Sequence, residues 1–163
     1  MTTAVDTNIL LDVLIPNQSF LKESLDKLEN ALTGGRLVIC EIVYAELGAQ
    51  FRRRADLDAF LLDTDIEVVP CGREVLYHAS ELWQAWRNQR VRLASKSDLD
   101  NIYCSNCGQK SKDVCSACGE ALTKPRRILN DFVIAAHAMK EADALLTRDM
   151  GFYRNYFKNL QIL

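Results

Sequence analysis

This 163-residue chain has no long apolar run, no large excess of charge of either sign and only two histidines. No apolar run approaches the roughly 20 residues that a membrane-spanning helix needs, so we expect no membrane segment. The formal net charge is −2, which excludes a global basic field for nucleic-acid binding and leaves only a local one. Residues 1–6 lack the charged and apolar regions of a signal peptide, so we expect a cytoplasmic protein.

The bulk composition is that of an ordinary globular domain. Hydrophobic residues make up 48% of the chain and charged residues 26%, so a single domain with a sizeable core is expected. Six cysteines are present, which in such a chain favours bound metal or free thiols over disulfides.

Short apolar runs alternate with helical patterns along most of the chain. A four-residue apolar run suits a strand that is covered on both faces, and apolar residues at spacings of three and four indicate a packed helix. The predicted strands are residues 4–5, 37–40, 66–69 and 144–147, with 160–163 as a candidate edge strand. The predicted helices are residues 9–14, 21–32, 41–53, 57–61, 75–86 and 129–142. This alternation predicts an α/β fold with a mostly parallel central sheet.

One segment, residues 95–124, breaks the alternation. It contains almost no aliphatic residues and four of the six cysteines. We therefore expect a main domain made of residues 1–94 and 125–163, with residues 95–124 inserted as a small lobe.

The lobe contains two copies of a Cys-x-x-Cys-Gly unit. In each unit the glycine would supply the positive φ that a tight turn around a metal needs. Four thiolates suit a closed, structural zinc site, although rubredoxin-like iron or disulfides are alternatives. The predicted zinc ligands are Cys104, Cys107, Cys115 and Cys118.

Four acidic residues map to one edge of the predicted sheet. Asp6 follows the first strand, Glu46 lies in the helix after the second, Asp131 lies in the first turn of a helix, and Asp149 follows a later strand. Ligands bind at the carboxyl ends of strands in open α/β sheets. Clustered carboxylates select Mg²⁺ or Mn²⁺, and such ions commonly serve phosphodiester hydrolysis.

Four blocks that span nearly the whole chain outside the lobe resemble the PIN-domain nucleases, in particular the toxin of VapBC toxin–antitoxin pairs. In chain order the blocks are VDTNILLD at 5–12, VYAEL at 43–47, DFVIAAHA at 131–138 and LLTRDMGF at 145–152.

The resemblance implies a three-layer α/β/α fold and endoribonuclease activity that depends on Mg²⁺ or Mn²⁺. It also implies an RNA substrate, an antitoxin partner and a homodimer. Asp6, Glu46, Asp131 and Asp149 would be the catalytic and metal-binding acids. Asn8 and Thr147 would support the site, whereas Asp12 would be a cap or surface group.

Two departures from the family pattern keep other functions open. Cys40 stands where many relatives have Ser or Thr, and most small toxins of the family lack a thiolate insertion. Ribosomal-RNA-processing PIN nucleases combine the domain with a zinc ribbon, so this role is one alternative. A non-catalytic module that binds RNA or protein through the lobe is the other.

Several further residues have mainly structural interpretations. The two histidines, His78 and His137, and the two tryptophans, Trp83 and Trp86, lie on predicted helices, where packing is the usual role. The run Arg52–Arg54 has two interpretations, either as cations at the end of the Glu46 helix or as a grip on RNA backbone.

Overall fold

The computed structural model describes residues 1–15, 19–94, 102–103, 109–111, 114–119 and 129–163, although not every side chain within them. The helices are α1 (Thr7–Leu14), α2 (Leu21–Thr33), α3 (Glu41–Gly48), α4 (Arg54–Asp63), α5 (Arg73–Ala94), α6 (Leu129–Glu141) and α7 (Met150–Tyr156). The strands are β1 (Thr2–Val5), β2 (Arg36–Ile39), β3 (Ile66–Val68), β4 (Ile102–Tyr103), β5 (Lys110–Ser111) and β6 (Ala144–Leu146).

Four of the strands form a parallel sheet in the order β3-β2-β1-β6. In its register Ala4 lies opposite both Val38 and Leu145. The three residues are buried, as expected for strands that are covered on both faces. The predicted α/β fold with a parallel central sheet is confirmed, with helices packed around the sheet.

Helix α6 is buried on all sides along its middle, since every residue from Phe132 to Ala138 is buried. The ring of Phe132 contacts Trp86, Phe152 and Phe157 at centroid distances of 5.6, 5.6 and 5.7 Å. These aromatic contacts join α5, α6 and α7 into one apolar layer. Trp86 therefore packs against the core, as predicted.

The predicted helix over 41–53 is wrong in its second half. Helix α3 ends at Gly48, and a new helix, α4, begins at Arg54. Phe51 lies in the connection, where its ring contacts Phe60 of α4 at 5.8 Å. The apolar spacing continues through the turn because Phe51 still faces the core, so the pattern alone did not reveal the break.

Two predicted ends also differ from the structure. The helix predicted over 9–14, for which Thr7 or Asn8 would be the cap, begins two residues earlier, and Asp6 occupies the cap position without a side-chain capping bond. The tail at 160–163 contributes a single parallel bridge, Leu145 to Ile162, in place of an edge strand.

Part of the inserted lobe is described. Strands β4 and β5 pair antiparallel, and Gly119 has a φ of 76° while its N–H donates to the Cys115 carbonyl at 2.8 Å. The predicted positive φ after the second Cys-x-x-Cys pair is thus confirmed. Cys104 and Cys107 lie outside the described residues, so the zinc site and the lobe boundaries stay predictions. Of the helices described, none has the length and apolar character to cross a membrane.

Candidate active site

The parallel sheet brings the ends of three strands to one edge. Asp6 directly follows β1, Asp149 lies three residues beyond β6, and α3, which carries Glu46, starts two residues beyond β2. Asp131 lies in the first turn of α6. Because β1, β2 and β6 run parallel, the residues after them belong to the same end of the sheet.

Asp6 is a buried carboxylate held by two neutral groups. Its Oδ2 accepts a hydrogen bond from Thr147 Oγ1 at 2.6 Å and another from Asn8 Nδ2 at 2.7 Å. The same Thr147 hydroxyl accepts from the Asp149 N–H at 3.1 Å. Asn8 and Thr147, the two predicted supporting residues, therefore contact Asp6 directly, and Thr147 also joins Asp6 to the start of α7.

Burial raises the pKa of Asp6 from 3.8 to about 6, although the Thr147 hydroxyl acts in the opposite direction. The negative charges of Asp131 and Asp149 contribute further to the raised pKa. Asp131 and Asp149 are thus each close enough to Asp6 to disfavour its charged form. A bound cation would lower the free energy of the charged carboxylates, because it favours the charged form of each group.

Glu46 is half-buried and held in a different way. Its Oε2 accepts a hydrogen bond from Thr7 Oγ1, and its Oε1 accepts from Asn130 Nδ2 at 3.0 Å. Thr7 follows Asp6 in the chain and Asn130 precedes Asp131. The two donors therefore tie Glu46 to the segments that carry two other acids. They also explain how a carboxylate is tolerated at the edge of the buried face of α3.

Asp149 begins α7 as its cap. Its side chain accepts a hydrogen bond from the Phe152 N–H at 3.3 Å, which fixes the carboxylate at the positive end of the helix. Asp131 lies inside α6, as the third residue of its first turn.

Charge and hydrogen bonds connect the four acids, but the side chains do not converge on one point. Across the described ranges, no three Asp, Glu, His or Cys side chains lie close enough to hold one metal ion together. Binding of an ion by this set would therefore require some of the carboxylates to rotate toward one another.

The prediction that Asp12 is a cap or surface group is wrong. It is buried, accepts from Ser24 Oγ at 2.8 Å, and forms an ion pair with Arg148 whose Nη1 and Oδ1 atoms are 3.1 Å apart. Periodicity along α1 could not show this, because both partners come from other segments.

Asn130 and Arg148 are functional candidates that the sequence analysis missed. Each lies next to a predicted acid, Asn130 before Asp131 and Arg148 before Asp149. That adjacency was the one available indication, and it does not specify which atoms the side chains contact.

His137, Arg53 and Arg54 make contacts within the described part of the chain. His137 is buried, and its Nε2 lies 3.0 Å from the Val69 carbonyl oxygen, as expected for a core histidine. Because α3 ends at Gly48, the interpretation of Arg52–Arg54 as its C-terminal cations is wrong. Arg53 and Arg54 instead pair with Asp56 and Asp58 on the surface of α4.

Comparison with solved structures gives a match over the whole chain. A chain in the crystal structure of VapBC2 from Rickettsia felis, bound to a DNA fragment from the promoter, is 18% identical with a TM-score of 0.59. The match covers 100% of this chain and 98% of that one, and at this identity it shows a shared fold. The search of curated proteins gives no significant match.

Comparison with protein-family models gives the PIN domain, matched over residues 3–102. The matched range contains Asp6, Asn8 and Glu46, and the hydrogen bonds described above connect these residues to the segments around Asp131 and Asp149. The chain belongs to the PIN domain family.

Proposed function

We propose that this protein is a metal-dependent endoribonuclease of the PIN type and the toxin of a toxin–antitoxin pair. The observation that carries the proposal is the electrostatic state of Asp6. A buried carboxylate with two further carboxylates near it, and with neutral hydrogen-bond partners, is a place where a cation lowers the free energy.

The donor set fits a hard divalent ion, since all four acids offer carboxylate oxygens. Asp6, Glu46, Asp131 and Asp149 would hold one or two Mg²⁺ or Mn²⁺ ions. Such ions polarise the scissile phosphate and lower the pKa of an attacking water.

Neutral donors hold two of the four acids in place. Thr147 and Asn8 fix Asp6, and Thr7 and Asn130 fix both oxygens of Glu46. Asp131, at the start of α6, would orient the water. A carboxylate that its neighbours already hold needs less ordering when an ion binds, and the other carboxylates would rotate toward the ion.

The proposal is tested with a fluorescent RNA and purified protein. Wild-type protein should cleave the RNA with Mg²⁺ or Mn²⁺ and stop when EDTA is added, and Asp131→Asn should be inactive. Asp26→Asn is the matched control, because Asp26 is an exposed carboxylate on α2. Wild-type cleavage that persists in EDTA, or an Asp131→Asn variant with full activity, would contradict the proposal.

We infer a small antitoxin as the protein partner, on the strength of the fold shared with a chain of the VapBC2 complex. Co-expression with the product of a neighbouring small gene should give a stable complex that no longer cleaves RNA. Recovery of ribosomal or pre-ribosomal components in its place would favour a role in RNA processing. Light scattering of the purified protein tests the proposed homodimer.

The zinc lobe is a separate proposal. Cys115 is buried, Cys118 is exposed, and the turn between them closes on Gly119. With Cys104 and Cys107 they would hold one structural Zn²⁺ with no open position for water. The lobe would then serve recognition of RNA or a partner, and the chemistry would stay with the acids.

A further inference from the structure

An ion pair with a buried carboxylate lies next to the candidate active site and connects it to α1 and α2. Asp12, on α1, has a side chain that is 5% exposed, and its Oδ1 is 3.1 Å from Nη1 of Arg148. The other oxygen of Asp12 accepts from Ser24 Oγ of α2 at 2.8 Å. A buried carboxylate needs such partners, since leaving it unpaired is strongly destabilising.

Arg148 is fixed at three separate points. Besides its ion pair, its guanidinium lies 4.1 Å from the ring centroid of Phe20, a cation–π contact. Its backbone N–H donates to Asn8 Oδ1 at 3.0 Å. Asn8 in turn donates to Asp6, so the backbone of Arg148 and a site carboxylate share one amide side chain.

The residues on either side of Arg148 are both part of the site. Thr147 donates to Asp6, and the charge of Asp149 acts on Asp6. A shift of the 147–149 turn would therefore move a hydroxyl and a carboxylate at once. Metal and catalytic constellations tolerate displacements of only about 0.5 Å.

We propose that the Asp12–Arg148 ion pair holds the 147–149 turn in the position that metal binding requires, so that both are positioning residues of the PIN site. This inference rests on the proposed function, because it assumes that Asp6 and Asp149 bind a divalent ion. It assigns Asp12 and Arg148 no contact with the metal or the RNA.

A different role for Arg148, as a direct contact to an RNA phosphate, makes different predictions. Its side chain is 39% exposed, so access is possible. A phosphate contact would raise KM for RNA in Arg148→Lys, because Lys lacks the planar fork, and would leave Asp12→Asn unaffected. A positioning role weakens metal binding in both variants, in the absence of RNA.

The experiment is calorimetric titration of Mn²⁺ into the full chain, well below the melting temperature of each variant. Asp12→Asn is nearly isosteric and should weaken Mn²⁺ binding about 10-fold, as loss of a supporting partner typically does. Arg148→Lys should also weaken Mn²⁺ binding. The matched control is Glu23→Gln, since Glu23 and Lys27 form an ion pair of the same 3.1 Å length on α2. It should stay within about twofold of wild type, a difference too small for the loss of a metal-supporting contact.

Near-UV circular dichroism and thermal melting separate misfolding from positioning. If Asp12→Asn is not folded at the titration temperature, Arg148→Lys decides, since it keeps the charge beside Asp12. Mn²⁺ affinities equal to wild type in the folded variants would overturn the inference alone, provided that Asp149→Asn has lost binding. A wild-type protein that does not bind Mn²⁺ would overturn the inference together with the proposed function.

Discussion

Asp6 and Glu46 lie at the same end of the sheet and each accepts from two neutral side chains, but they differ in burial and in the charges around them. Asp6 is buried near the negative charges of Asp131 and Asp149 and has a raised pKa, so a cation beside it would favour its charged form. Glu46 is half-buried, and neutral donors from Thr7 and Asn130 occupy both of its oxygens. Asp6 would therefore supply most of the electrostatic drive for metal binding, and Glu46 would supply mainly geometry.

The largest effect is expected when a carboxylate of the Asp6 group is neutralised. Asp6→Asn and Asp149→Asn should each lower kcat/KM for RNA by roughly 10³-fold, on the scale of removing a main electrostatic stabiliser. Both variants should remain folded, because the amide is nearly isosteric. Initial rates and melting curves check this, and retention of full metal-dependent activity by both variants would remove the active-site assignment.

The second effect is on stability and concerns Asp6. A folded-state pKa of about 6 against 3.8 favours the protonated form. The resulting stabilisation is complete below about pH 4 and is lost as the pH rises through about 6, which amounts to at most about 3 kcal/mol.

Metal-free wild-type protein should therefore be less stable than Asp6→Asn at pH 7.5, and the difference should shrink toward pH 4. Added Mg²⁺ should reverse the order at pH 7.5, because it binds the folded wild-type protein. Urea denaturation at several pH values measures both. A pH-independent difference between the two proteins would contradict the raised pKa of Asp6.

The third effect compares the supports of the two acids. Asn130→Ala removes a donor to Glu46, and Thr147→Val removes a donor to Asp6. Both should weaken Mn²⁺ binding about 10-fold. Only Thr147→Val should also raise the pH at which binding begins, since the Thr147 hydroxyl lowers the pKa of Asp6. Titration calorimetry at pH 5.5 and 7.5 distinguishes the variants; identical pH profiles would mean that the two supports are equivalent.

The smallest effect on chemistry is expected in the lobe. The double variant Cys104→Ser, Cys107→Ser should lose one zinc per chain, with little change in the main melting transition. Cleavage of a short generic RNA should persist, whereas discrimination for the natural RNA or partner should weaken. Elemental analysis and calorimetry test this. Zinc-free wild-type protein, or global unfolding of the variant, would contradict a structural zinc site in an independent lobe.

The strand-end acids were predictable because they depend on local patterns. The run 144–147 is typical of a strand that is covered on both faces, and the helix around Asp131 has a clear helical spacing. Parallel strands then bring their carboxyl ends to one edge of the sheet, whatever the details of packing. The break after Gly48 was not predictable, since Phe51 keeps the apolar spacing while the backbone turns.

The hydrogen-bond partners of the acids were less accessible. Asn130 contacts Glu46 from 84 positions away in the chain, and Arg148 reaches back to Asp12 on the first helix. Such pairs depend on how helices pack on the sheet, which a single sequence does not encode in any local period. The same reason accounts for the incorrect prediction that Asp12 is a cap or surface group.

The most direct measurement of the central claim is an anomalous difference map from crystals grown with Mn²⁺. We predict one or two peaks at the carboxyl end of the sheet, each about 2.0–2.3 Å from oxygens of a set that includes Asp6 and Asp149. Asp131 and Glu46 should turn toward the same peaks. An ordered active-site edge with no peak, or a peak bound only elsewhere on the chain, would contradict the assignment of these acids as a metal site.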